Sequence, residues 1–516
     1  MKKTILSVIS VCLALMCMTS CSAGMSADMQ EQEPGNANMT YSKPTDASAN
    51  YDGEDNDEQQ NTQIFIENPF VSTADNAVST FSADVDTASY AYFRKLVNGG
   101  CNFNEIKSWA SGFRTEEMVN YFTYDYAQPG EGEVFSVQAD MIDCPWNPDA
   151  SLLRLGLKAR DAAPTKGNNL VFLIDVSGSM QSEDKLPLLC SAFEYLTEQL
   201  SAQDTVSIVT YSGREEVVLK GCSGDKSAKI ISAVKSLEAQ GSTNGEAGLK
   251  KAYEIAKEYY IEGGNNRIIM ASDGDLNVGI SDSKSLAAYV SDMKAGGVYL
   301  SILGFGTGNY RDANMEALAD NGNGVYYYID GDSEAEKVFC SDLTSTLYTV
   351  ADDVKLQLTF SPEYVESYRL VGYENRVMAT EDFIDDSKDA GEVGSGHTVT
   401  VCYELILTDT AKKQVSSDAM ADKWFTLAVR HKEPGEDISK LNEYSFGCEI
   451  YAEASDEMRF ICAVIETSML IHDSKYISEQ SDIRSLSDVV ELLGNRGLND
   501  VYKEQFVELL KKLIRG

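Results

Sequence analysis

The sequence predicts an α/β chain: a doubly wound, mostly parallel sheet inserted in a β-rich domain and followed by a C-terminal helical segment. Three patterns carry that expectation. Between Leu170 and Ile329, short continuous apolar runs alternate with helical stretches, as they do when strands buried on both faces are joined by crossover helices. Shorter runs of period-two hydrophobicity flank this stretch on either side, and the chain closes with two stretches of helical period.

The central elements read in order. Leu170 to Ile174 is a buried strand, a helix follows from about Lys185 to Leu200, and Thr205 to Tyr211 and Glu216 to Lys220 are strands. Helical patterns cover Asp225 to Leu237 and Glu246 to Tyr260, and the apolar run Arg267 to Ala271 is the next strand. A helix over Ser283 to Ala295, a strand over Val298 to Gly304, a helix over Arg311 to Asp320 and a strand over Gly324 to Ile329 complete the series. In open sheets of this kind, ligands bind outside the carboxyl ends of the strands, where the strand order reverses.

Those ends carry the chemistry. The first strand runs into Asp175-Val176-Ser177-Gly178-Ser179, a loop before a helix holds Gly241-Ser242-Thr243-Asn244-Gly245, and the Arg267 strand runs into Ser272-Asp273-Gly274. Two carboxylates and three hydroxyls converging on one edge form a hard, oxygen-only donor set, which suits Mg²⁺ or Mn²⁺ better than zinc or copper.

Asp175-x-Ser177-x-Ser179, Thr243 and Asp273 resemble, in order and context, the metal-ion-dependent adhesion site of von Willebrand factor type A domains. The resemblance covers about Lys166 to Ser345. It implies that Ser177, Ser179 and Thr243 offer side-chain oxygens to a divalent ion, Mg²⁺ or alternatively Mn²⁺ or Ca²⁺. It further implies that Asp175 and Asp273 bind directly or through water, and that one position stays open for an Asp or Glu carboxylate of a partner protein.

Other motifs fit less well. Asp273-x-Asp275-x-Asn277 opens like an EF-hand loop, but Val278 stands where the turn needs Gly and Lys284 where it needs Glu. Gly304-Phe305-Gly306-Thr307-Gly308 follows a strand without completing a dinucleotide fingerprint. Histidines number three, His397, His431 and His472, which leaves little room for histidine zinc sites or Ser-His triads.

The N-terminus starts with Lys2 and Lys3, then an apolar run from Ile5 to Met18, the layout of a secretory signal. The run ends in Met18-Thr19-Ser20-Cys21, which resembles a bacterial lipobox and implies lipidation of Cys21. Lipidation anchors a protein to a membrane without spanning it, so the bulk of the chain is expected outside the cytoplasm, in the cell envelope. Residues 22 to 62 are rich in Asn, Gln, Asp, Glu and Ser and read as a solvated tether.

The remaining composition sets limits. A formal charge of −38 over 516 residues repels phosphate backbones, which excludes sequence-independent nucleic-acid binding. Hydrophobic residues at 43% are enough for ordinary folded cores. Eight of the eleven cysteines lie beyond the signal region, an even number that permits disulfides outside the cytoplasm without assigning pairs. Among them, Cys190 and Cys462 fall in apolar helical patterns and read as buried thiols.

Strand patterns at Val134 to Met141, Leu152 to Ala159, Val354 to Phe360, Tyr368 to Tyr373, His397 to Leu407 and Trp424 to Val429 flank the centre, and helical patterns follow at Asp456 to Asp473 and Ser485 to Ile514. Ser79 to Tyr90, Glu116 to Phe122, Leu370 to Arg376 and Gly396 to Thr400 resemble the flanks of bacterial lipoproteins that carry a type A domain. Asp84 and Asp86 read as exposed acids of a solvated turn, with an ion site the alternative.

The expected organisation is a signal peptide over 1–20, a tether over 21–65 and an N-terminal segment over 66–165. A type A domain over 166–345, a β-rich domain over 346–452 and a helical segment over 453–516 follow. The expected function is non-enzymatic: a lipid-anchored adhesion or scaffold protein that binds a protein ligand through the ion. An accessory subunit of an envelope assembly or of an AAA+ ATPase complex is the alternative, with a hydrolase in the C-terminal region a more distant one.

Overall fold

A computed structural model describes residues 65–162, 166–242, 245–274, 283–306, 313–343, 345, 348–415 and 423–516. The expected signal peptide, Cys21 and nearly all of the tether lie outside the described residues, as do Thr243, Asp275 and Asn277.

In chain order, β1 (Val71–Ser72), β2 (Val78–Ser82), α1 (Ala88–Asn98), α2 (Phe103–Lys107), α3 (Thr115–Asn120), β3 (Phe135–Asp143) and β4 (Ser151–Ala159) precede the central domain. That domain comprises β5 (Asn168–Asp175), α4 (Leu186–Gln199), β6 (Thr205–Tyr211), β7 (Glu215–Ser223), α5 (Ser227–Lys235), α6 (Gly245–Glu258), β8 (Asn265–Ser272), α7 (Ser283–Ala295), β9 (Tyr299–Phe305), α8 (Ala313–Asn321), β10 (Tyr326–Ile329) and α9 (Asp332–Lys337). Its six strands run in the order β10-β9-β8-β5-β6-β7. All pairings are parallel except that of β7, an antiparallel edge hairpinned to β6.

The continuous apolar run of β5 is explained by its position. Leu170, Phe172 and Ile174 pack on one face with Leu189 and Phe193 of α4, whereas Val171 and Leu173 pack on the other with Leu249, Ala252 and Ala256 of α6. A strand covered on both sides has no solvent face on which to place polar residues.

Beyond the central domain come β11 (Thr349–Phe360), β12 (Val365–Val371), β13 (Gly391–Gly394), β14 (Thr398–Leu407), β15 (Phe425–Lys432) and β16 (Lys440–Phe446). One antiparallel sheet runs β1-β12-β14-β4-β3, and a second runs β13-β11-β15-β16 with β2 also paired to β11. Leu155 of β4 lies opposite Val401 of β14, so strands from before and after the central domain complete one sheet and the α/β domain is inserted between them. The two sheets share a core in which the Phe360 and Tyr403 rings are 5.5 Å apart and Phe81 and Tyr373 are 5.1 Å apart.

Three helices close the chain: Asp456–Ile471, Ser487–Arg496 and Val501–Arg515. Their starts are locally encoded. Ser455 accepts a hydrogen bond from the Met458 amide, and Asp500 accepts from Tyr502 and Lys503, which satisfies donors that a helix start otherwise leaves open. These helices pack through rings on α1 and on the residues just after α3, with Phe93 6.2 Å from Phe506 and Phe122 4.8 Å from Phe460. Among the described residues no helix is long and apolar enough to cross a membrane.

Two expectations need correction. Asp84 and Asp86 are buried and no solvated turn: Arg376 reaches both carboxylates at 3.2 Å, and Asp86 also accepts the backbone amide of Tyr326. Charges taken out of water need partners, and these were supplied from almost three hundred residues away, beyond the reach of any local pattern. Cys101, Cys144, Cys190, Cys222, Cys402 and Cys462 are free thiols; Cys462 is buried as expected, but Cys190 is half-buried.

Candidate metal-binding site

β5 is the switch point of the central sheet. The chain leaves it through α4 to β6 on one side, and returns later to place β8 on the other. The carboxyl ends of β5 and β8 therefore open side by side. β5 ends at Asp175 and β8 at Ser272, with Asp273 next, so the fold brings the two carboxylates expected from sequence to one edge.

The loop after β5 is held by its own side chains. The Ser177 amide donates to Asp175 Oδ1 at 2.7 Å, and the Ser177 and Ser179 hydroxyls lie 2.9 Å apart. Ser272 Oγ donates to Asp175 Oδ2 at 3.4 Å. Asp175, Ser177, Ser272 and Asp273 are buried, while Ser179 is exposed, so the donors run from the interior to an open rim. The segment leading toward Thr243 is fastened to this loop: the Gln240 amide donates to Val176 O at 2.7 Å and the Gly178 amide to Gly241 O at 3.1 Å. Thr243 itself lies outside the described residues.

Burial is the main influence on Asp175 and pushes its carboxyl up to about 6; hydrogen bonds from Ser177 oppose the rise, and the Asp273 charge adds to it. A buried carboxylate with a second carboxylate beside it favours a nearby cation. The oxygen donor set fits a hard divalent ion: Asp175, Asp273, Ser177 and Ser179 would hold it, and the ion would supply Lewis acidity toward an anionic oxygen.

Sequence reasoning missed Lys185. Its Nζ lies 2.8 Å from Asp273 Oδ2 and 2.9 Å from Ser179 O. The available signal was electrostatic. Lys185 is the N-cap of α4, and a cation there opposes the helix dipole, so the position requires another reason for the charge.

Asp353, Asp389 and Glu392 gather their carboxylate oxygens within 4.8 Å of one another, but Lys432 and Lys294 each bind one of these acids at 2.6 Å, which makes the group an ion-pair cluster. A cleft of about 690 Å³ lies between β3 and the C-terminal helices, lined by Asp143, Tyr451, Cys462, Glu466 and Asp488 among others. Burial pushes the Glu466 carboxyl up to about 7 and the Cys462 thiol well above its ordinary value. A thiol shifted in that direction is the opposite of an activated nucleophile.

The fold and the site define a protein with a von Willebrand factor type A domain, and residues 169–341 match that domain's family model. Residues 56–154 match a model described as von Willebrand factor, and 345–515 one described as the C-terminal part of the uncharacterized protein YfbK. YfbK of Escherichia coli (strain K12) is 40% identical over 438 residues, which span 81% of this chain and 75% of that protein. The chain belongs to the YfbK family. The human inter-alpha-trypsin inhibitor heavy chain H3 is 29% identical over 203 residues, 37% of this chain and 22% of the heavy chain. Among solved structures, the von Willebrand factor type A protein from Catenulispora acidiphila aligns over 76% of this chain and 88% of its own, at 14% identity and a TM-score of 0.39.

Proposed function

We propose that this chain is a membrane-anchored, non-enzymatic adhesion or scaffold protein of the cell envelope. Its type A domain engages an Asp or Glu carboxylate of a partner protein through a divalent ion, Mg²⁺ or alternatively Mn²⁺ or Ca²⁺. Asp175, Ser177, Ser179, Thr243 and Asp273 hold the ion, and lipidated Cys21 provides the anchor. The observation that carries this reading is the convergence of Asp175, Ser177, Ser179 and Asp273 at the switch point, with the carboxylates buried and Ser179 at the open rim. Neutral hydroxyls, and carboxylates that reach the ion through water, would leave it an open and incompletely shielded position for one more anionic oxygen. That attraction is local, and it works against the distant repulsion of an acidic protein toward an acidic partner, a repulsion that salt screens.

The test is calorimetric titration of Mg²⁺, Mn²⁺ and Ca²⁺ into the chain from Ser22 onward, beside its Asp273→Ala variant. A single saturable site lost in the variant is expected, and the variant separates that site from weak binding by the acidic tether. Partner capture that needs the ion and disappears in Asp175→Ala and Thr243→Ala completes the test. Equal capture by both variants and the parent protein rejects the adhesion-site reading.

A further inference from the structure

We propose that Lys185 is a tethered counter-ion of the metal site, whose ammonium neutralises Asp273 in the metal-free protein and must be displaced for a divalent ion to bind. The inference rests on the metal-site reading above.

Three observations converge on it. The Lys185 ammonium makes two contacts, Asp273 Oδ2 at 2.8 Å and Ser179 O at 2.9 Å, so it bridges the two strand-end loops that supply the ion's donors. It stands at the start of α4, where its charge is unfavourable to the helix and is retained against that cost. The chain also leaves a corridor for its stem: at Gly306, just past β9, φ is +86° and an added Cβ would lie 2.4 Å from Lys185 Cε. A side chain at 306 would be strained in that backbone conformation and would force the lysine stem to shift.

The physical consequence is competition. Asp273, 4% exposed, forms a charge-assisted hydrogen bond with a cation that the chain itself provides. Without the lysine, the repulsion between the Asp175 and Asp273 charges loses the cation that offsets it, so the metal-free state rises in energy and the bound state gains relative to it. Removing the ammonium should therefore tighten metal binding while weakening the metal-free fold.

The experiment compares wild type, Lys185→Met, Lys185→Gln and the control Lys226→Met, in the chain from Ser22 onward, by Mg²⁺ and Mn²⁺ calorimetry and by thermal midpoint with and without saturating Mg²⁺. Lys226 pairs with Asp225 on the surface, so its variant reports the effect of losing one positive charge elsewhere. Both Lys185 variants are expected to bind Mg²⁺ roughly tenfold more tightly than wild type, the scale of one charge-assisted hydrogen bond. Both are also expected to show a lower metal-free midpoint and a larger Mg²⁺-induced rise. The Gln variant keeps the test decisive should Met disturb folding. Affinity within twofold of wild type, or weaker, overturns the inference and leaves the metal site standing. Binding by the Lys185 variants with none by wild type supports it in the extreme form, a site the lysine closes. Absence of binding in all four proteins overturns both this inference and the metal-site reading.

Discussion

Arg94 of α1 donates from Nε to Asp330 Oδ2 at 2.8 Å, on the loop between β10 and α9 of the inserted domain. The same guanidinium reaches Glu334 Oε2 at 2.6 Å and the Tyr121 hydroxyl at 2.8 Å, and Tyr121 in turn donates to Glu334 at 2.7 Å. The N-terminal segment is thus bound to the type A domain through a buried, hydrogen-bonded charge network, in addition to apolar packing.

Arg94→Met should be strongly destabilising. It leaves Asp330 and Glu334 facing each other in a buried setting with their main cation gone, and breaking one side of such a network costs about 3–5 kcal/mol. Denaturant unfolding measures the loss, and a change below about 1 kcal/mol would show that the network adds little to the join.

Glu116 should make the protein more stable at pH 6 than at pH 8. The residue is 2% exposed, with Oε2 accepting the Tyr373 amide at 2.8 Å. Burial first, and the neighbouring Glu374 and Asp84 charges next, push its carboxyl up to about 8. The folded state therefore holds a proton that the unfolded chain releases near 4.5, so stability is fully present below about 4.5 and is lost as pH rises toward 8. Glu316 and Glu374, each raised to about 7, act in the same direction. His397 and His472, each lowered to about 4, act in the opposite direction below about 6.5 and leave the upper window to the acids. Glu116→Gln should flatten the decline in thermal midpoint between pH 6 and 8; an unchanged slope would assign that decline to other groups.

Gly156 on β4 is a steric requirement of the sandwich. An added Cβ would come within 2.3 Å of the Tyr126 ring, whose hydroxyl lies 2.8 Å from Thr400 Oγ1 on β14. Gly156→Ala should cost about 1–3 kcal/mol by overpacking. Gly156→Ala combined with Tyr126→Leu should recover part of that cost; no recovery would mean the ring is not the obstacle.

Where the physics is local, the sequence was readable. β6 over Thr205–Tyr211 and α7 over Ser283–Ala295 coincide with the runs expected, because a buried strand is built from β-branched and apolar residues and amphipathic packing imposes a helical period. Asp175 and Asp273 were legible as a pair because each directly follows a buried strand, and parallel strands end on the same edge. Lys185 was not: its place at a helix start marks the charge as out of keeping with the dipole, but its partner Asp273 lies eighty-eight positions on. Asp84 and Asp86 were misread for the same reason: their partner, Arg376, is remote, and unpaired acids in sequence look like solvent-facing acids.

The sequence by itself therefore determined the alternation of strands and helices, the doubly wound sheet and the two carboxylates, Asp175 and Asp273, that meet at its edge, since those depend on periodicity and on which residues follow each strand. Only the tertiary structure decided how β4 and β14 close one sheet around the inserted domain, how α1 and α3 pack on the C-terminal helices, and which cations answer the buried acids. Those choices balance the desolvation of a charge against a partner far away in the chain, and that balance is fixed by three-dimensional proximity, which local pattern does not encode.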